Sequence, residues 1–274
     1  MRSLALALAL AAGIALVPAA ASASGGPPLG PPVTAGTVVP GMGQSVQKDC
    51  GLTDWISQKA SGGVWTLSRA NAFDTSGQTL CITAHSGVGF TVDNNLRYTG
   101  LWQAYPYTGV GCAYSLCTHG TDLPKKVRYL PSWANTSFSW RSNGAPGNWN
   151  ASYDIWFDKY NQITTEDNGA ELMIWLRPNP GYAHSGQYVR VGKRWFYFAT
   201  WRHCDSVGIC WNYIRFIFNR TVSGVQGLWL MPFIRYAEAR GLIRPSWWMT
   251  SVHAGYELVS GGKGLETTWF NAHT

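Results

Sequence analysis

The residues best suited to chemistry lie in Glu171-Leu172-Met173-Ile174-Trp175-Leu176. Their alternation reads as a β-strand with Leu172, Ile174 and Leu176 on one face and Glu171, Met173 and Trp175 on the other. The first set is an ordinary core stripe. The second places a carboxylate, a thioether and an indole along one face, which a purely structural strand has little reason to do. Over residues 151–158 the same alternation groups Asp154, Trp156 and Asp158 against Tyr153, Ile155 and Phe157. A hairpin through the turn-rich stretch 161–169, centred near residue 162, brings Asp154 opposite Glu171. Two carboxylates that close cannot both stay fully ionised, so Asp154 is expected to hold a proton and to orient Glu171 through it. The plainer alternative is an acidic cross-strand pair at a solvated rim.

A third carboxylate, Glu257, stands in the strand-like stretch Val252-His253-Ala254-Gly255-Tyr256-Glu257-Leu258. Gly255 shares its face, and the missing side chain is expected to leave room for a ligand. Alone, such a glutamate reads as a surface residue. Together with Glu171 it makes the pair that cleavage of a glycosidic bond requires, one carboxyl protonating the leaving oxygen while the other attacks or activates water. The aromatic content agrees, since Trp, Tyr and Phe make up 14% of the chain and Trp alone numbers 15. Sugar rings stack their apolar faces on such side chains while their hydroxyls take hydrogen bonds. Trp156 and Trp175, on the polar faces of their strands, are the candidates for a lined groove.

The elements that must position these groups are mostly strands. Runs rich in aromatic and β-branched residues, bounded by Gly, Asn, Ser and Pro, predict strands over 89–92, 136–140, 151–158, 171–177, 187–191, 194–201, 212–219, 252–259 and 267–271. Val191-Gly192-Lys193-Arg194 reads as a tight hairpin. Leu230, Phe233, Ile234 and Ala237 fall at i, i+3, i+4 and i+7, predicting one amphipathic helix with Arg240 in its last turn and Gly241 beyond. This pattern implies an all-β fold, a sandwich of two antiparallel sheets with the helix outside one of them.

Residues 1–23 carry Arg2, an apolar run of about 14 residues and a small-residue site at Ala21-Ser22-Ala23. They read as a signal peptide, too short for the ~20 residues of a membrane span, so no membrane anchor is expected. Residues 24–47 are a Gly/Pro-rich linker, and 48–274 form one domain. Without the leader, 20 basic residues face 14 acidic ones, scattered rather than clustered. Nucleic-acid binding is therefore not expected. Six cysteines in an exported chain point to disulfides. Spacing favours Cys112 with Cys117 and Cys204 with Cys210, leaving Cys50 with Cys81, although other pairings remain open. A zinc site is the weaker reading, because no Cys-x-x-Cys occurs.

These segments resemble glycoside hydrolase family 12 over most of the chain from about Cys50 onward. Glu171-Leu172-Met173-Ile174-Trp175 is similar to the family's nucleophile strand, Ala151-Ser152-Tyr153-Asp154-Ile155-Trp156 to the strand of its helper aspartate, and Gly255-Tyr256-Glu257 to its acid/base segment. The resemblance implies a concanavalin-like β-jelly roll and a retaining endo-β-1,4-glucanase, secreted and monomeric, acting on polysaccharide without metal or cofactor. It assigns Glu171 as nucleophile, Glu257 as acid/base and Asp154 as the partner that hydrogen-bonds the nucleophile. Met173 and Trp175 would line subsites, and Asn95 would contact substrate. Two positions depart from the pattern. Arg97 stands where the family usually stacks a Trp, so the chain either binds there differently or uses nearby Trp102, and Leu258 stands where Pro commonly follows the acid/base. A xyloglucan-directed enzyme and a sugar-binding protein without catalysis are the rival readings; the presence of both glutamates argues against the second.

Overall fold

The computed structural model describes residues 47–274 apart from 51–54, 60–63, 71–76, 86–87, 101, 114, 164–167 and 206–207. The expected signal peptide and all but the last residue of the linker lie outside the described residues. In chain order the strands are β1 (Lys48–Cys50), β2 (Ile56–Lys59), β3 (Trp65–Arg69), β4 (Cys81–Ala84), β5 (Phe90–Val92), β6 (Tyr107–Ala113), β7 (Leu116–Cys117), β8 (Lys125–Lys126), β9 (Asn135–Arg141), β10 (Trp149–Asp158), β11 (Gly169–Arg177), β12 (Gln187–Val191), β13 (Arg194–Cys204), β14 (Cys210–Phe218), β15 (Gly224–Trp229), β16 (Trp248–Leu258) and β17 (Glu266–His273). A helix, α1 (Met231–Glu238), lies between β15 and β16.

The strands form two sheets, the jelly-roll architecture expected. The smaller runs β1-β4-β5-β17-β9-β15; the larger runs β12-β13-β14-β11-β10-β16-β6-β3-β2, with β7 on β6 and β8 on β16. One pairing departs from the antiparallel expectation, since β11 and β14 are parallel. Residues 178–186 carry the chain from mid-sheet to its edge, and two hairpins walk it back, so β14 arrives in the direction of β11. Within the sandwich, Tyr153, Ile155 and Phe157 of β10 and Leu172, Ile174 and Leu176 of β11 are fully buried and share one core with Phe138 of β9 and Phe270 of β17. Burying each such side chain contributes about 1.5 to 3 kcal/mol. Met173, Trp175, Tyr213, Ile217 and Tyr107 form a second cluster on the opposite face of the larger sheet.

The helix corrects its expected place. Its Phe233 packs edge-on against Phe196 and Phe216 at 5.0 and 5.1 Å, residues of the same core as Ile174. It therefore closes the core over β12–β14 instead of lying outside. Its last turn ends at Ala239, so Arg240 falls just past it, and Gly241 donates its N–H to the Glu238 carbonyl at 2.9 Å. The three disulfides join Cys50 to Cys81 across β1 and β4, Cys112 to Cys117 across β6 and β7, and Cys204 to Cys210 at the β13–β14 tip.

Gly255 also serves a different purpose from the one expected. A Cβ there would stand 2.1 Å from the Pro106 carbonyl oxygen and 2.8 Å from Tyr107 Cα, so its empty side is filled by the chain entering β6 and not by a ligand. Gly181 has nothing within 4 Å of its corresponding position. Gly255→Ala is expected to cost more than about 2 kcal/mol in urea unfolding, whereas Gly181→Ala should leave the midpoint unchanged. Equal midpoints for the two variants would contradict this packing.

Candidate active site

The larger sheet turns alternate residues of its central strands to one outer face. On β10 these are Asn150, Ser152, Asp154 and Trp156; on β11, Glu171, Met173 and Trp175; on β16, His253, Gly255 and Glu257; on β14, Trp211, Tyr213 and Arg215. The register differs from the expected one by two residues. Glu171 pairs with Trp156, and Asp154 pairs with Met173 on one side and His253 on the other. The cause lies at the turn, where Asp158 accepts the N–H groups of Tyr160 (2.5 Å) and Gln162 (2.9 Å), ending the ladder at Asp158–Gly169. Asp154 is therefore diagonal to Glu171 on the shared face, not directly opposite, and Asp158 caps a turn.

Indole N–H groups hold two of the carboxylates. Trp211 Nε1 donates to Glu171 Oε2 at 2.7 Å, and Trp156 Nε1 donates to Asp154 Oδ2 at 2.8 Å. The two indoles pack on each other with centroids 5.8 Å apart, so each ring helps to fix the carboxylate partner of its neighbour. Glu257 pairs across β10–β16 with Asn150, whose Nδ2 donates to Glu257 Oε2. The Asn150 carbonyl receives the Ser152 hydroxyl at 3.0 Å and the Glu257 backbone N–H at 3.4 Å, which orients the amide.

Burial pushes the Glu257 carboxyl up to about 7, against the opposing pull of the Asn150 hydrogen bond and the Arg215 charge. At neutral pH a large share of it is thus protonated. Burial also raises the Tyr213 phenol, and the charges of Glu257 and then Glu171 raise it further; it stays a neutral donor, giving its proton to Met173 Sδ at 3.0 Å. Burial drives the His253 imidazole down to about 3, with Arg69 adding to the shift, so the neighbour of Asp154 is uncharged.

Along β10 the partners of Glu171 and Glu257 are Trp156 and Asn150, six positions apart, yet both glutamates open into one cleft of about 380 Å³. The rest of its lining is Trp102, Trp175, Tyr182, Trp201, His203, Tyr213 and Arg215. Of the residues singled out in the sequence, Glu171, Glu257, Trp175 and Trp102 line this cleft, while Asp154, Trp156 and Met173 form the buried layer around it. Asn95 lies outside that lining, exposed, with its side-chain carbonyl accepting the Lys263 N–H at 2.9 Å. Leu258 uses its own N–H, donating to the Ala104 carbonyl at 2.9 Å, a bond that a proline there could not make.

Asn150, Tyr182, Trp201, His203, Trp211, Tyr213 and Arg215 join the site beyond the residues that the sequence singles out. The alternation of β10 extended back to residue 150 signals the first; the alternation Trp211, Tyr213, Arg215 signals three more. Among the described residues no group of three or more His, Cys, Asp and Glu is placed to hold a metal ion.

The proton on Glu257 has a consequence for stability. Its ordinary value is 4.5 and its folded value about 7, so between those two pH values the folded state keeps a proton that the unfolded chain releases. Stability from this group therefore falls as pH rises through that window. Glu257→Gln removes the dependence, and its Tm is expected to gain on the parent between pH 4 and pH 8. A constant Tm difference across that range would contradict the shift.

Comparison with known proteins places this geometry in a family. The model of Glycosyl hydrolase family 12 matches residues 69–274. The probable cellulase Cel12b of Mycobacterium tuberculosis is 31% identical over 157 residues, 56% of this chain and 97% of that protein. Endoglucanase S of Pectobacterium parmentieri is 31% identical over 182 residues, and this match spans 64% of its length and 61% of this chain. Among solved structures, the endoglucanase cel12A from Rhodothermus marinus superposes with a TM-score of 0.70 at 30% identity, covering 82% of this chain and 97% of its own. With the family model spanning most of the sequence and both glutamates inside the matched span, the chain belongs to glycosyl hydrolase family 12.

Proposed function

We propose that this chain is a secreted endo-β-1,4-glucanase that hydrolyses internal bonds of cellulose-type or mixed-linkage glucans with retention of configuration. The observation that supports it most is the shared cleft, into which Glu171 and Glu257 open from the two sides of β10 among aromatic walls. Glu257, with its raised affinity for a proton, protonates the glycosidic oxygen as the bond to the anomeric carbon breaks. Glu171, held by the Trp211 N–H, attacks that carbon to form a glycosyl ester. Water that gives a proton back to Glu257 then displaces Glu171 and restores both carboxyls.

Asp154 orients the nucleophile through Trp156, whose indole packs on the Trp211 that bonds Glu171. Trp102 and Trp175, 6.1 Å apart and nearly edge to face, offer surfaces for sugar rings, with Met173 beneath. The leader-like residues 1–23 and three disulfides favour export to an oxidising compartment, where the protein would act as a monomer on polysaccharide.

Kinetics on barley β-glucan test these roles. Glu171→Gln and Glu257→Gln are each expected to lower kcat by at least about 10³-fold, and Asp154→Asn by less. In the parent enzyme kcat/KM should fall as pH rises through about 7, where Glu257 loses its proton. Near-parental rates for Glu257→Gln, or an alkaline limb unconnected with that residue, would overturn the assignment.

A further inference from the structure

Among the described residues, one wall of the cleft takes its side-chain hydrogen bonds to the sheet from one residue. Between β11 and β12 the chain makes a 3-10 turn at Pro180–Tyr182, and Tyr182 lines the cleft. Inside the turn, Tyr182 donates its N–H to the Asn179 carbonyl at 2.9 Å and Ser185 to the Tyr182 carbonyl at 3.1 Å. Among the described residues, the side-chain hydrogen bonds joining this segment to another element come from Arg215 on β14. Its Nη2 donates to Ser185 Oγ at 2.6 Å and to the Ser185 carbonyl at 3.4 Å.

Arg215 is only 6% exposed, and among the described residues no carboxylate lies within 4 Å of it. A buried cation carries a desolvation cost, of which the attraction to Glu257 offsets part. Three rings offset more of it, with the guanidinium 4.9 Å from Trp175, 5.5 Å from Tyr182 and 5.6 Å from Trp201. The same contacts make Arg215 a clamp, since one planar group touches Trp175 of β11, Trp201 of β13 and the Tyr182–Ser185 segment at once. Lysine has neither the fork of donors nor the flat face to do this. Beside the clamp, ring contacts join the wall to its surroundings, Trp175 with Tyr182 at 6.0 Å and His184 with Tyr197 at 5.0 Å, and these have no directed geometry to fix a width.

We propose that Arg215, through Ser185, is a specificity-determining residue: it holds the Tyr182 wall at a spacing that admits an unbranched β-1,4-glucan chain and turns away one bearing sugar side branches. The proposal rests on the glucanase reading above and names the substrate class that reading leaves open. Hydrogen-bonded walls discriminate by refusing to move, and a branch adds a whole ring to the width that must pass.

The test is kcat and KM for the parent, Arg215→Lys and Ser185→Ala on unbranched mixed-linkage β-glucan and on xyloglucan. Both variants are expected to raise the ratio of kcat/KM on the branched polymer to that on the unbranched one by about fivefold, the effect of losing one ordinary hydrogen bond. Their loss on the unbranched polymer should fall on KM more than on kcat. Ser185→Ala removes one hydroxyl from a partly buried side chain and folds even where an Arg215 variant fails, so it suffices alone. An unchanged ratio, or a parent enzyme that already cleaves xyloglucan as well as unbranched glucan, overturns the clamp and leaves the glucanase reading standing. A parent enzyme inactive on both polymers sinks that reading, and the clamp with it.

Discussion

β10 is hydrogen-bonded to β11 on one side and to β16 on the other, and because a strand turns only alternate side chains to a given face, that double pairing decides which groups can meet. The core half of the alternation, Ile155 against Leu172 and Val252, pins the three strands at no exposure. The other half then has no choice of side. A slip of one residue in β10 would send Asp154 and Trp156 into the core and lose its apolar stripe to solvent, so the packing of the sandwich is what enforces the site.

Gathering acids on a half-buried face is expensive, and the neighbouring side chains show how the cost is met. Each of the three has a directed N–H donor: Trp211 for Glu171, Trp156 for Asp154 and Asn150 for Glu257. Hydrogen bonds to charged groups are worth about 1.5 to 3 kcal/mol. Glu257 also escapes part of its cost by keeping a proton to about pH 7. One arrangement thus serves stability and protonation together, since burial that makes the ionised acid unfavourable is also what keeps a proton on Glu257.

Much of this was legible in the sequence and some was not, for physical reasons. The faces of β10 and β11 follow from alternation alone, and the buried stripe confirms them. Their register does not, because a shift of two residues leaves every side chain on its own face; only the Asp158 turn distinguishes Trp156 from Asp154 as the partner of Glu171. Strand β6 was hidden by its glycines, one of which, Gly109, is bare because the His253 ring stands 2.3 Å from where its Cβ would be. The alternation Trp211, Tyr213, Arg215 marks one face of β14, but the strand beside that face is set by a parallel pairing made through a long crossover, so these residues joined the site only with the fold.

In the proposed reaction Glu171 attacks the anomeric carbon while Glu257 protonates the leaving oxygen. The anomeric configuration of the first products from cellopentaose, followed by proton NMR before mutarotation, tests it most directly. Retention through the covalent route gives the β-anomer first and the α-anomer only later. An α-anomer formed first would mean that water attacks directly and that Glu171 does not form the intermediate.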